Sequence, residues 1–177
     1  MNHLVDFDPE LPVHMTFATH DWHLLAEYWY PIALARDISE QPLGTMLLDM
    51  PLVIYKMGAE LIVAKDVCPH RGVPLSLGKN DGEGVVCRYH GLRFGAEGKC
   101  NRIPAHPNQK IADRFHLKTY AATERYGLIW CCLKAPLNAT PNIPNLPHWD
   151  ESEFQQLVCP QVDISCFADR QIGRAHV

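Results

Sequence analysis

The sequence predicts an all-β fold of short antiparallel strands, arranged as a sandwich or small barrel, with a brief lead-in before it and an extended tail after it. Three observations carry this. From Thr45 onwards the residues fall into short runs rich in β-branched and aromatic side chains, divided by turn formers. Glycines stand where hairpins need them: Gly58 lies between two runs, and Gly95 and Gly98 flank a turn. The 177 residues, 47% of them apolar, suffice for one domain with a proper core and would make a second one cramped.

Taken in order, Asp21–Glu27 reads as a short helix within the lead-in. Trp29–Ala33 reads as an extended segment, because Pro31 restricts Tyr30 to extended geometry. The β runs follow at Met46–Asp49, Leu52–Met57, Leu61–Val67, Gly84–Tyr89, Leu92–Phe94, His116–Ala121 and Leu128–Leu133. Beyond Lys134 the composition shifts. Pro136, Asn138, Pro141, Asn142, Pro144, Asn145 and Pro147 fall within twelve residues, which suits a linker or an extended wrap and neither helix nor ladder. After it, Leu157-Val158 and Val162–Cys166 read as one strand or two without partners in this chain.

Sixteen Lys and Arg against twenty Asp and Glu give a net charge of −4, without the basic excess that a nucleic-acid partner requires. No run approaches the roughly 18 apolar residues of a membrane span. The segment Met1–Asp8 has neither a basic nor an apolar region of a secretory signal, so the expected setting is cytoplasmic and reducing. Seven cysteines at irregular spacing do not make a disulfide framework there, and some are expected to bind metal.

Two segments concentrate that chemistry: Cys68-Pro69-His70-Arg71-Gly72 and Cys87-Arg88-Tyr89-His90-Gly91. The pattern is C-x-H, sixteen intervening residues, then C-x-x-H, and each pair closes a β run and opens a loop, so two loop tips can approach each other. A zinc finger groups its cysteines at one end and its histidines at the other, whereas here each loop supplies one of each. The alternation suits a two-iron centre in which two cysteines hold one iron and two histidines the other. Cys68 and Cys87 are then the thiolates, and His70 and His90 are the imidazoles, with their outer nitrogens as the electron exit. A structural zinc site is the alternative, and it would be colourless. Cys131-Cys132, Cys100, Cys159 and Cys166 lack spaced histidine partners and read as buried small hydrophobes. His20-x-x-His23 reads as a solvated pair, and Trp29 and Trp130 as core.

Through Cys68–Ser76 and Cys87–Phe94 the sequence resembles the Rieske non-haem iron oxygenases. The likeness extends to Trp29-Tyr30-Pro31, to Glu97–Cys100 with Ile103-Pro104, and to Arg125–Trp130, covering residues 25–135. In texture it is most similar to the oxygenase components of vanillate demethylase and of phthalate or toluenesulfonate oxygenases, whose substrates are aromatic acids. The resemblance implies a lead-in over 1–28, a Rieske [2Fe-2S] domain over 29–135, a Pro/Asn-rich linker over 136–148 and the start of a catalytic domain over 149–171. It also implies electron transfer from a reductase or ferredoxin to a mononuclear Fe(II), held in the full-length protein by two histidines and a carboxylate. Past His148 the sequence offers only His176 for that triad, so this chain alone is expected to relay electrons without oxygenating. Family members are homo-oligomers, trimers or larger rings, in which one subunit's cluster serves its neighbour's iron. A free-standing Rieske ferredoxin is the alternative, which fits the missing triad but not the long lead-in and tail. Rieske centres of respiratory complexes carry an extra cysteine in each loop and a serine after the second His-Gly. Here Arg71, Val73 and Leu92 stand instead, which implies a low potential.

The last six residues, 172–177, are what the genetic code gives for ATC GGA AGA GCA CAC GTC. That string resembles a sequencing adapter whose next triplet, TGA, is a stop. The expectation is a reading frame truncated after Gln171.

Overall fold

The computed structural model describes residues 11–157. Helix α1 (Thr19–Leu25) precedes strands β1 (Tyr30–Leu34), β2 (Leu43–Leu47), β3 (Met50–Met57) and β4 (Glu60–Lys65). Four very short strands follow, β5 (Lys79–Asn80), β6 (Val85–Val86), β7 (Arg93–Phe94) and β8 (Cys100–Arg102), and then β9 (Thr119–Arg125) and β10 (Leu128–Cys132). The long strands form a six-stranded antiparallel sheet in the order β1-β10-β9-β4-β3-β2, and the short ones a second sheet in the order β5-β6-β7-β8. The Thr45 hydroxyl on β2 donates to the Ile32 carbonyl on β1 at 3.1 Å, so the two edges of the large sheet meet and it curls towards a barrel.

β4 and β9 pair directly, Val63 opposite Tyr120 and Ala64 opposite Thr119, and the Lys65 N–H donates to the Lys118 carbonyl at 2.9 Å. Residues 66–118 are therefore an excursion from a single ladder, and the small sheet is built inside it.

β3 shows why the two layers hold together. Leu52, Val53, Ile54 and Tyr55 are all fully buried, since alternate side chains enter different cores. Val53 and Tyr55 pack with Leu75, Val85, Leu92, Phe94 and the two loop cysteines. Leu52 and Ile54 pack with Trp22, Ile129 and Cys131 on the other face. Each such side chain contributes about 1.5–3 kcal/mol by leaving water. The Tyr55 hydroxyl also donates to the buried Gly95 carbonyl at 3.0 Å, which pins the small sheet to the large one, and burial raises its pKa well above the usual phenol value.

The all-β fold stands as expected, with differences at the edges of elements. Met46–Asp49 is not a strand throughout: Leu48 and Asp49 form the turn between β2 and β3 at φ of 48° and 63°. Asp49 is held there because its carboxylate accepts the N–H and hydroxyl of Thr16, at 2.7 and 2.8 Å. Within Gly84–Tyr89 only Val85–Val86 joins a ladder, because beyond it the chain parts into a loop. β5 and β8 carry no β-favouring composition and exist through pairing with their neighbours. α1 starts and stops earlier than Asp21–Glu27, with Trp22 as its buried residue and the Trp22 indole donating to the Leu48 carbonyl at 2.8 Å. That tryptophan is the core one. Trp29 and Trp130 are only half-buried, and the Trp130 indole bonds the Arg125 carbonyl instead.

From Pro136 to Pro144 there is neither helix nor strand. A separate compact unit begins at Asn145, and in its described part His148 stacks on Phe154 and meets Glu151 at 2.8 Å. The strands expected at Leu157-Val158 and Val162–Cys166, together with Cys159 and the terminal hexapeptide, reach into or lie wholly outside the described residues. No helix among the described residues is long and apolar enough to cross a membrane.

Candidate metal centre

The excursion from the β4–β9 ladder carries two loops of the same internal construction. In the first, the Cys68 N–H donates to the Val73 carbonyl at 2.9 Å and the Gly72 N–H to the Cys68 carbonyl at 2.8 Å. In the second, the Cys87 N–H donates to the Leu92 carbonyl at 2.8 Å and the Gly91 N–H to the Cys87 carbonyl at 3.0 Å. Closing so tight a turn needs a left-handed residue four places after each cysteine. Gly72 and Gly91 supply it at φ of 71° and 70°. The shared signal, Cys-x-x-x-Gly, is present in both segments of the sequence and went unread there.

The frames place the four singled-out side chains at two depths. Cys68 and Cys87 are each 2% exposed, and Cys87 lies close enough to raise the Cys68 pKa. His70 and His90 are exposed, with ring centroids 4.6 Å apart, and the Tyr89 ring lies 3.8 Å from that of His90. Because the histidine follows its cysteine by two residues in one loop and three in the other, like meets like across the gap. Thiol faces thiol below, and imidazole faces imidazole above.

Burial pushes the Cys68 thiol up to about 11, with the neighbouring Cys87 adding to the rise and the N–H groups of His70 and Arg71 opposing it. Two neutral thiols in an apolar floor of Leu75, Leu92 and Phe94 have little reason to be adjacent unless a cation takes their protons' place. Two sulfurs and two imidazole nitrogens, paired by type and offered from opposite loops, are a donor set that fits two bridged irons. Among the described residues no three His, Cys, Asp or Glu side chains converge as on a single ion.

The other three cysteines among the described residues sit elsewhere. The Cys100 sulfur meets the Arg102 carbonyl at 3.7 Å, and burial raises its pKa. Cys132 donates to the Ala26 carbonyl at 3.4 Å, while burial and the adjacent Cys132 push Cys131 up to about 12. These are packed thiols, as expected. His20 is exposed as anticipated, but His23 is not solvated: it is half-buried, edge-on to Trp22, with a buried Nδ1 that has no partner among the described residues. Sequence reasoning also missed Asp66 and Ser76, which join across the base of the first loop.

The Rieske [2Fe-2S] domain model matches residues 28–121. Methylxanthine N1-demethylase NdmA of Pseudomonas putida is 31% identical over 163 residues, covering 81% of this chain and 46% of that protein. The vanillate O-demethylase oxygenase subunit of Pseudomonas sp. (strain HR199 / DSM 7063) is 44% identical over 105 residues, 58% of this chain and 28% of that one. The solved structure of Pseudomonas putida CBB5 NdmA superposes with a TM-score of 0.68 at 32% identity, over 73% of this chain and 41% of that one. The chain thus spans less than half the length of these relatives. Since the matched residues run from the start of β1 through both cysteine–histidine loops and back into the large sheet, the chain belongs to the Rieske [2Fe-2S] domain family, and a two-iron cluster is its cofactor.

Proposed function

We propose that this chain is the electron-relaying part of the oxygenase component of an oxidative demethylase or aromatic-ring hydroxylase, with Cys68 and Cys87 as ligands of one iron and His70 and His90 of the other. The observation that carries the reading is the two-layer arrangement, in which a buried thiol pair lies under an exposed imidazole pair. The cluster supplies one-electron transfer at low cost in rearrangement. The protein's share is to keep the sulfurs dry and to hold two imidazoles where a partner can reach them. In the full-length protein the recipient is a mononuclear iron in a catalytic domain, within a homo-oligomer, and the setting is cytoplasmic. The relatives' names, methylxanthine and vanillate demethylases, favour oxidative demethylation over other oxygenations.

The donor is a reductase or ferredoxin with an acidic face. His70 and His90 border a cleft of about 360 Å³ that Lys110 and Arg114 also line, and Arg71 and Arg88 are exposed beside them in the chain. Of the acids in the same excursion, Asp66 binds Ser76, Asp81 and Glu83 pair with Arg93, Glu97 pairs with Lys99, and Asp113, exposed beside Arg114, meets His116 at 3.6 Å. Reduction by such a donor should therefore slow steeply as salt rises. Replacing both Lys110 and Arg114 by Glu should slow it about tenfold or more at low salt, with the visible spectrum unchanged. Stopped-flow reduction at two ionic strengths checks this. Equal rates for native and double variant would remove the donor from this face.

The potential should fall at the low end of the Rieske range, roughly −150 mV against values up to about +300 mV. Leu92 offers the site no hydroxyl, and the backbone N–H groups of His70 and Arg71 are directed at the Cys68 sulfur. Redox titration followed by circular dichroism measures the midpoint. A value well above zero would contradict the assignment of the loop environment.

A further inference from the structure

The two loops share a frame but not a mooring. The second lies between β6 and β7, whose ladder, Val86 opposite Arg93 and Val85 opposite Phe94, holds both of its ends. The first runs from β4 to β5, and these strands pair with other partners and not with each other. Something else must close its base.

That closure is a buried carboxylate. Asp66, 8% exposed and two residues before Cys68, accepts the Ser76 N–H at 2.8 Å and the Ser76 hydroxyl at 2.5 Å. Its own N–H donates to the Pro51 carbonyl of β3 at 2.9 Å, so the clasp is fastened to the large sheet. Gly44 of β2 lies against the clasp: a Cβ there would stand 2.9 Å from both Cβ and Oγ of Ser76. Leu75, next to Ser76 in the chain, is fully buried in the same core as both cysteines. Strands β2, β3 and β4 thus meet at one point beneath the first loop.

We infer that Asp66 is a positioning residue for the cluster: by clasping Ser76 it ties the ends of the first loop together and so sets where Cys68 stands against Cys87. The inference rests on the proposed ligand role of Cys68. With the clasp open, the loop loosens and the His70 and Arg71 N–H groups lose their aim at the Cys68 sulfur. Those bonds favour the more negative, reduced form, so the midpoint potential falls.

The test compares Asp66→Ala, Gly44→Ala and Asp66→Asn with the native 177-residue chain, by amide hydrogen exchange and by redox titration of the loaded protein. Asp66→Ala should speed exchange at Cys68 and Gly72 about tenfold, leave Cys87 and Gly91 as they were, and lower the midpoint. Gly44→Ala, which keeps the carboxylate but displaces Ser76, should do the same from another strand, and it decides the matter if Asp66→Ala fails to fold. Asp66→Asn keeps an oxygen for the Ser76 N–H and should restore both readouts. Ile129→Val, which thins the opposite core, should lower thermal stability and leave the midpoint alone. Faster exchange in both loops with a native midpoint, or an Asn variant as impaired as Ala, would overturn the inference. A native chain that takes up no iron would instead overturn the ligand reading, while the exchange measurements still decide whether the clasp holds the loop.

Discussion

Replacing any one of Cys68, Cys87, His70 or His90 by Ala should abolish the visible and EPR signatures of the cluster, while Cys100→Ala should keep them. On the proposed assignment each of the four supplies one of only four protein bonds to the irons. The two cysteines should be the more severe, because removing one leaves its buried partner facing an apolar floor of Leu75, Leu92 and Phe94. Cys100 is the proper control: it is buried in the same core, yet its sulfur is turned to the Arg102 carbonyl. Iron and acid-labile sulfide analysis of the purified variants gives the answer. Full occupancy in Cys68→Ala together with loss in Cys100→Ala would reverse the assignment.

The second large effect is on folding. Gly84→Ala should destabilise the protein by about 4 kcal/mol, because strain and collision add. Gly84 sits at φ 144°, and a Cβ there would lie 2.2 Å from the Phe94 carbonyl oxygen. That oxygen belongs to β7, so no side-chain rotation relieves the contact. The strands must part, and they are the ones that hold the second loop. For a chain of this size each kcal/mol lowers the melting temperature by about 2–4 °C, so calorimetry should record a large fall and cluster content should drop with it. Gly58→Ala, whose Cβ would meet nothing within 4 Å, carries only the strain of its φ of 57° and should cost about 1 kcal/mol. Equal losses in the two variants would show that the β6–β7 contact is not tight.

These magnitudes follow from features that the sequence displayed unevenly. The two Cys-His pairs were legible because chemistry-bearing residues stood two or three apart in the chain, and the structure sets thiol beside thiol and imidazole beside imidazole. β3 and β4 were legible through dense apolar runs. β5 and β8 were not, since Lys79-Asn80 and Cys100-Asn101-Arg102 acquire strand geometry only when a neighbour pairs with them. The Leu48-Asp49 turn was hidden because it uses no glycine and is stabilised by Thr16, distant in sequence. The clasp was hidden for a related reason. Asp66 and Ser76 are ten residues apart, and neither residue type announces burial until the fold removes both from water.

Pulsed EPR of the reduced, anaerobically purified chain tests the central claim most directly, since it counts the nitrogens bound to the cluster. The account predicts strong couplings to two imidazole nitrogens on one iron, with none from histidine on the other. A cluster signal without nitrogen couplings, or a colourless protein carrying stoichiometric zinc, would contradict it.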